Sequence, residues 1–244
     1  MRSFRQWSAF SKALVLALLA AAGTARPALA IVNVEKTRVI FAAGEMSQAI
    51  TLSNDGETPM LLQTWSDNGD IGSTPDSRDT PVVVLPPVFK MQPGELRSLR
   101  LMLTSRKNLA ADRESLFWLN LYQIPPNTKT ADAGSRQVIL PLRLRLKVFV
   151  RPANLKAPTA EAEQQLKFSM EGKTITIDNP TPWFMSLSIW PGSQKSIDNL
   201  LIPPKSGQKI ASNQLLQRGD TIHYSVIGDD GNTRNYAATP QFRH

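Results

Sequence analysis

A 244-residue chain with no cysteine cannot be stapled by disulfides, and with His223 and His244 as its two histidines it has no His/Cys set for a metal centre and no Cys/His pair for nucleophilic catalysis. The formal charge is +8, but Arg2, Arg5, Lys12 and Arg26 fall in the first thirty residues with no acid beside them; the other 214 residues therefore carry four charges fewer, +4, too scattered for a surface that tracks a phosphate backbone. Eighteen prolines and thirteen glycines punctuate many short apolar runs, which predicts an all-β protein.

Arg2, Arg5 and Lys12 precede an apolar run at 13–22, and Ala28-Leu29-Ala30 has the small-x-small form of a secretory cleavage site. Residues 1–30 are expected to be a signal peptide cleaved after Ala30. The apolar run is about ten residues against the roughly twenty that span a bilayer, and no later segment is long and apolar enough, so the expectation is an exported protein that is not a membrane protein. Without disulfides, its stability must come from burial.

Residues 31–41 read as a strand closed by the turn Ala43-Gly44-Glu45, with Arg38 inside it; as a lone cation Arg38 reads as solvated and outward-facing. Residues 49–54, the Asp55-Gly56 turn and residues 60–65 read as a hairpin, and 67–81 as a surface loop rich in Asp, Gly, Ser, Thr and Pro. Strands at 82–85 and 99–103 flank turns at Pro86-Pro87 and Gln92-Pro93-Gly94, and a strand within 112–126 ends on Pro125-Pro126. After a loop at 127–134 comes the most regular stretch, residues 135–152. Val138, Leu140, Leu142, Leu144 and Leu146 alternate there, with Arg143, Arg145 and Lys147 between and after the last of them, so the period is two. Five aliphatics over nine residues exceed what a half-buried strand of typical length needs, so part of the stripe is expected to have a partner outside its own domain; the alternative is an ordinary core strand. Pro141 cannot donate to a ladder and interrupts pairing on one side. Seven short strands with regular turns match an immunoglobulin-like sandwich over 31–152.

Arg151-Pro152-Ala153-Asn154 reads as a hinge, giving a second domain at 153–244. It opens on a short helical candidate at 158–165 and continues as strands at 166–170, 174–178, 184–190, 209–211 and 222–227, a smaller β-sandwich. No Gly-rich phosphate loop opens a helix, His223 lies in a strand-like run, and Glu161/Glu163 and Asp229/Asp230 read as solvated pairs. The expectation is a binding protein with no catalytic residues, no cofactor and no metal.

Six motifs occur in order: T-R-V-I-F at 37–41, L-P-P-V-F at 85–89, Q-P-G at 92–94, D-R-E-S-L-F-W-L-N-L at 112–121 followed by Ile124-Pro125-Pro126, K-V-F-V-R-P at 147–152, and N-P-T-P at 179–182. Together they resemble the periplasmic pilus-assembly chaperones of the chaperone/usher pathway over nearly the whole mature chain. The resemblance implies two immunoglobulin-like β-sandwich domains in an L or boomerang arrangement with a subunit-binding cleft between them. It implies that pilus or fimbrial subunits, which lack their own last strand, are completed by Val138, Leu140 and Leu142 and delivered to an outer-membrane usher. Arg38 and Lys147 match the cations that hold the subunit's C-terminal carboxylate; position parity does not separate Lys147 from Arg143 and Arg145. Glu114, Arg151 and Asp229 match an interdomain ion-pair cluster. The short loop at 127–134 and the lack of cysteine look like the short-loop branch, which serves rod-like pili. Free of subunit, the exposed edge is expected to self-associate through residues 136–146. A reading from another class is a secreted immunoglobulin-like adhesion or glycan-binding module, which would want exposed aromatics on loops; the loops here carry few.

Overall fold

The computed structural model describes residues 32–76, 79–126, 140–193, 195–212 and 216–242. The first half forms nine strands: β1 Asn33–Val34, β2 Arg38–Phe41, β3 Ser47–Ser53, β4 Met60–Asp67, β5 Val82–Leu85, β6 Val88–Met91, β7 Leu96–Leu103, β8 Ser115–Ile124 and β9 Leu142–Val150. They form a four-stranded sheet, β1-β3-β7-β5, and a five-stranded one, β2-β9-β8-β4-β6. Each sheet turns its alternate apolar residues inward. Ile50, Leu52, Leu99 and Leu101 come from the first and Leu62, Leu119, Leu121 and Val148 from the second, all buried.

The second half repeats the arrangement with β10 Lys167–Glu171, β11 Thr174–Asn179, β12 Met185–Pro191, β13 Ile197–Ile202, β14 Ser206–Ala211, β15 Ile222–Ile227, β16 Thr233–Ala238 and β17 Gln241–Phe242. Its sheets are β14-β11-β10-β17 and β13-β12-β15-β16, closing over Phe168, Ile175, Ile177, Leu187, Ile189, Ile202 and Tyr224. The all-β class and the two sandwiches are as expected.

Several elements differ from the sequence expectation. Residues 49–54 and 60–65 are not a hairpin, because β3 pairs with β1 and β7 while β4 pairs with β6 and β8 in the other sheet. Buried Asn54 holds this arch. Its side chain donates to the Thr58 and Met91 carbonyls, and its backbone carbonyl accepts from Gly94, whose positive φ makes the Gln92-Pro93-Gly94 turn feasible. The prolines at 86–87 carry the chain from one sheet to the other, so β6 is a strand of its own. In the second half β13 interrupts its apolar run with Asp198 and a positive-φ Asn199, and β16 is an edge strand of mostly polar residues; neither shows the periodicity that marks a strand. The helical candidate at 158–165 contracts to a single turn, α1 Ala160–Glu163.

The alternating stretch expected at 135–152 is a strand only from Leu142. Residues 135–139, including Val138, lie outside the described residues, as do 1–31 and the loop at 127–134. The β8–β9 ladder begins at Leu142 opposite Gln123. Continued by two residues it would oppose Leu140 to Pro125, where Pro141, Pro125 and Pro126 have no N–H to give.

Candidate functional site: a free strand edge ending at two cations

β9 is paired along its whole length on one side by β8, but on the other side β2 reaches only residues 147–150, in parallel. Among the described residues, 142–146 therefore present an unpaired edge. The leucines of this strand face lose their cover step by step: Leu146 is 4% exposed, Leu144 36%, Leu142 52% and Leu140 76%. Leu146 pairs with buried Leu119, whereas Leu142 pairs with Gln123 and is half exposed. Only Leu146 is ordinary core.

The paired part of the edge starts at two cations, since Arg38 lies opposite Lys147 in the parallel ladder. Arg38 is buried rather than solvated, its side chain reaching the second sandwich, where Nη1 donates to the Ile227 carbonyl at 2.9 Å; its Nε has no partner among the described residues. Lys147 Nζ donates to Ser186 Oγ at 3.2 Å, again across to the second sandwich. Neither forms an ion pair among the described residues. Burial first, and then the neighbouring Arg38, holds the Lys147 ammonium below its ordinary pKa. Burial likewise lowers Arg38, against the pull of Asp229, Asp230 and Glu114. Two desolvated positive charges side by side with no carboxylate between them are suited to an anion.

Asp229 is unavailable to them because Arg151 takes it in a fork, Nη1 to Oδ2 at 2.8 Å and Nη2 to Oδ1 at 2.7 Å. Arg151 Nε donates to Glu114 Oε1 at 2.7 Å, and the other Glu114 oxygen accepts from the Phe184 N–H at 2.9 Å. Glu114 and Arg151, both buried, and the partly exposed Asp229 thus form one cluster joining the end of β9 to the second sandwich. Burial pushes the Glu114 carboxyl up, with Arg151 and the Phe184 amide pulling it back in part. Burial works against the charged Arg151 too, but its bonds to Asp229 and Glu114 outweigh that and raise it.

The opposite face of β9 explains why Arg143 and Arg145 differ from Lys147. Both are committed to Asp67, Arg145 Nη2 at 2.6 Å and Arg143 Nη2 at 3.5 Å, and each lies over an indole, Arg143 on Trp65 at 4.8 Å and Arg145 on Trp118 at 4.7 Å. Asp67 does not open a surface loop. It closes β4 and is 2% exposed, accepting also from Asn120, Ser73 and the Gly69 N–H. Glu163 departs from expectation in the same way: it is buried and takes Arg234 Nε at 2.9 Å and the Tyr236 hydroxyl at 2.6 Å.

Among the described residues no group of three or more His, Cys, Asp or Glu side chains converges, and no helix is long and apolar enough to cross a membrane. Trp190 is the one exposed aromatic among them, and it lies on β12 rather than in a loop.

The sequence of the first sandwich matches the family model described as the pili and flagellar-assembly chaperone, PapD N-terminal domain, over residues 31–156, and the second matches the pili assembly chaperone PapD, C-terminal domain, over 161–238. The chaperone protein MrkB of Klebsiella pneumoniae is 34% identical over 202 residues, covering 81% of this chain and 86% of its own. The probable fimbrial chaperone YadV of Escherichia coli K12 is 32% identical over 214 residues, covering 83% and 87%. Among solved structures, that of the Salmonella enterica SafA pilin in complex with the SafB chaperone superposes with a TM-score of 0.75 at 25% identity, covering 88% of this chain and 98% of that one. Two matched domain models in sequence, with relatives of this identity and coverage, place the chain in the PapD family of pilus-assembly chaperones.

Proposed function

We propose that this chain binds and stabilises pilus or fimbrial subunits by lending them β9 as a missing strand. The free edge at 142–146, its leucines increasingly exposed away from Leu146, carries this reading. A subunit strand added to that edge gains ladder hydrogen bonds, and Val138, Leu140 and Leu142 fill its groove at about 1.5–3 kcal/mol for each side chain fully buried. Arg38 and Lys147 receive the subunit's terminal carboxylate, which supplies the directly paired acid that neither has among the described residues. Glu114, Arg151 and Asp229 hold the two sandwiches in a fixed relation around that anchor. The mature chain, residues 31–244 after cleavage of 1–30, works in the periplasm as domains 31–152 and 153–244 and passes subunits to an outer-membrane usher. Free of subunit, the edge pairs with a second copy.

The chain coexpressed in a periplasm with the exported subunit encoded beside its gene should co-purify with it. Wild-type retention by both Arg38→Ala and Lys147→Ala would remove the carboxylate anchor from the reading. Sedimentation at several concentrations tests the self-pairing, which Leu140→Glu should abolish.

A further inference from the structure

A strand that pairs on one side only is held weakly, yet residues 142–146 must keep one register if a partner is to read their leucines. In this protein the missing neighbour is replaced from the outward face. Besides its ion pair with Asp67, Arg143 donates from Nε to Asn120 Oδ1 at 2.9 Å, from Nη1 to the Ile71 carbonyl at 2.6 Å and from Nη2 to Ser73 Oγ at 2.9 Å. Asn120 Nδ2 donates to Asp67 Oδ2 at 2.7 Å, Ser73 Oγ donates to the same oxygen at 3.0 Å, and Trp65 Nε1 donates to Ser73 Oγ at 3.1 Å. Apart from the bond to the Ile71 carbonyl, the polar links from this face of the unpaired segment return to Asp67 directly or through one intermediate, and Asp67 is itself anchored in β4, two strands away across β8. No such bond reaches the leucine face.

We infer that Asp67 is a positioning residue for subunit capture: acting through Arg143 and Arg145, it keeps the lent strand extended and in register before a subunit arrives. This rests on the donor-strand reading and deepens it. A lent edge that is already ordered spares the encounter the cost of ordering it, so the effect belongs in the rate of capture, not in the contacts that hold a captured subunit.

The test compares the mature wild type with Asp67→Asn, with Arg145→Met, which leaves the carboxylate its other partners and the stem over Trp118, and with Leu142→Glu. If Asp67→Asn does not fold, Arg145→Met carries the comparison. Hydrogen exchange of the free proteins should show the protected amides of residues 142–146 exchanging about tenfold faster in the first two variants, with those of 117–121 unchanged. Capture of the coexpressed subunit, followed by stopped flow after denaturant dilution, should slow about fivefold with dissociation unchanged. Either change without the other overturns the positioning role, as does wild-type behaviour in both while Leu142→Glu captures nothing. Normal capture by Leu142→Glu instead overturns the donor-strand reading itself.

Discussion

Lys147 faces Arg38 across the parallel ladder of β2 and β9, cation to cation, with Ser186 and the Ile227 carbonyl as their polar partners and no acid paired to either. A protein that keeps two half-desolvated like charges adjacent gives up stability in its free state for something that binds there.

Lys147→Met should therefore melt higher than the wild type, by about 0.5–2 kcal/mol, while losing subunit retention. The sign follows from the depressed folded pKa: such a lysine has its full stability above the ordinary value of 10.5 and loses it as the pH falls through the folded value, so at neutral pH the wild type carries the penalty. The gap between the two proteins should narrow as the pH rises toward 10. Denaturant melts at pH 7 and pH 10 measure it, and a destabilised Lys147→Met at pH 7 would contradict it.

Asp67 gives the opposite dependence. Burial works against its charge, but Asn120, Gly69, Ser73 and Arg145 together hold its pKa below 3.8, so it contributes stability above that pH which is lost as the pH falls through the folded value. Asp67→Asn should be less stable than the wild type at pH 6, with the difference shrinking below pH 4. Equal acid limbs in urea titrations between pH 2 and pH 6 would remove Asp67 from the acid response.

Along the leucine stripe, truncation should separate folding from binding at a boundary between Leu144 and Leu146, not between Leu142 and Leu144 as an even division of the strand would have it. Leu146→Ala should cost about 2–5 kcal/mol of folding stability, and Leu142→Ala should cost little stability but much subunit affinity. Leu144→Ala should behave more like Leu142→Ala. Urea midpoints and subunit affinities of the three variants decide it.

Arg151→Ala strips Glu114 of its cation inside the protein and should cost about 3–5 kcal/mol. Asp229→Asn leaves that pair intact at a more exposed position and should cost less than half as much. Adding Glu114→Gln to Arg151→Ala should recover part of the loss, a non-additivity of about 1 kcal/mol or more in a double-mutant cycle.

The strands that could be read from the sequence are those whose burial is periodic, such as β7, where Leu99, Leu101 and Leu103 alternate with Ser98, Arg100 and Met102. Partner choice was not legible. The run from β3 to β4 has the spacing of a hairpin, but the two strands pair in different sheets, and the buried amide of Asn54 holds the arch by bonding to Met91 far along the chain. The charged groups failed for the same reason. Asp67 stands before Asn68-Gly69-Asp70, which looks like a turn, and its arginines are 76 and 78 residues away; Glu163 finds Arg234 71 residues on. Parity could not single out Lys147, since what separates it from Arg143 and Arg145 is an acid from β4 on one side and a second sandwich on the other.

β2 stops pairing at Lys147, and that stop turns β9 into a ruler. On the proposed anchoring of a bound chain's terminal carboxylate at Arg38 and Lys147, each residue of that chain would meet β9 at a position set by counting back from its last one. Because strand faces alternate, lengthening the guest's tail by a single residue turns its apolar side chains away from the shared core. Subunits of quite different sequence could then share such a chaperone, provided their apolar residues keep the same distance from the chain end.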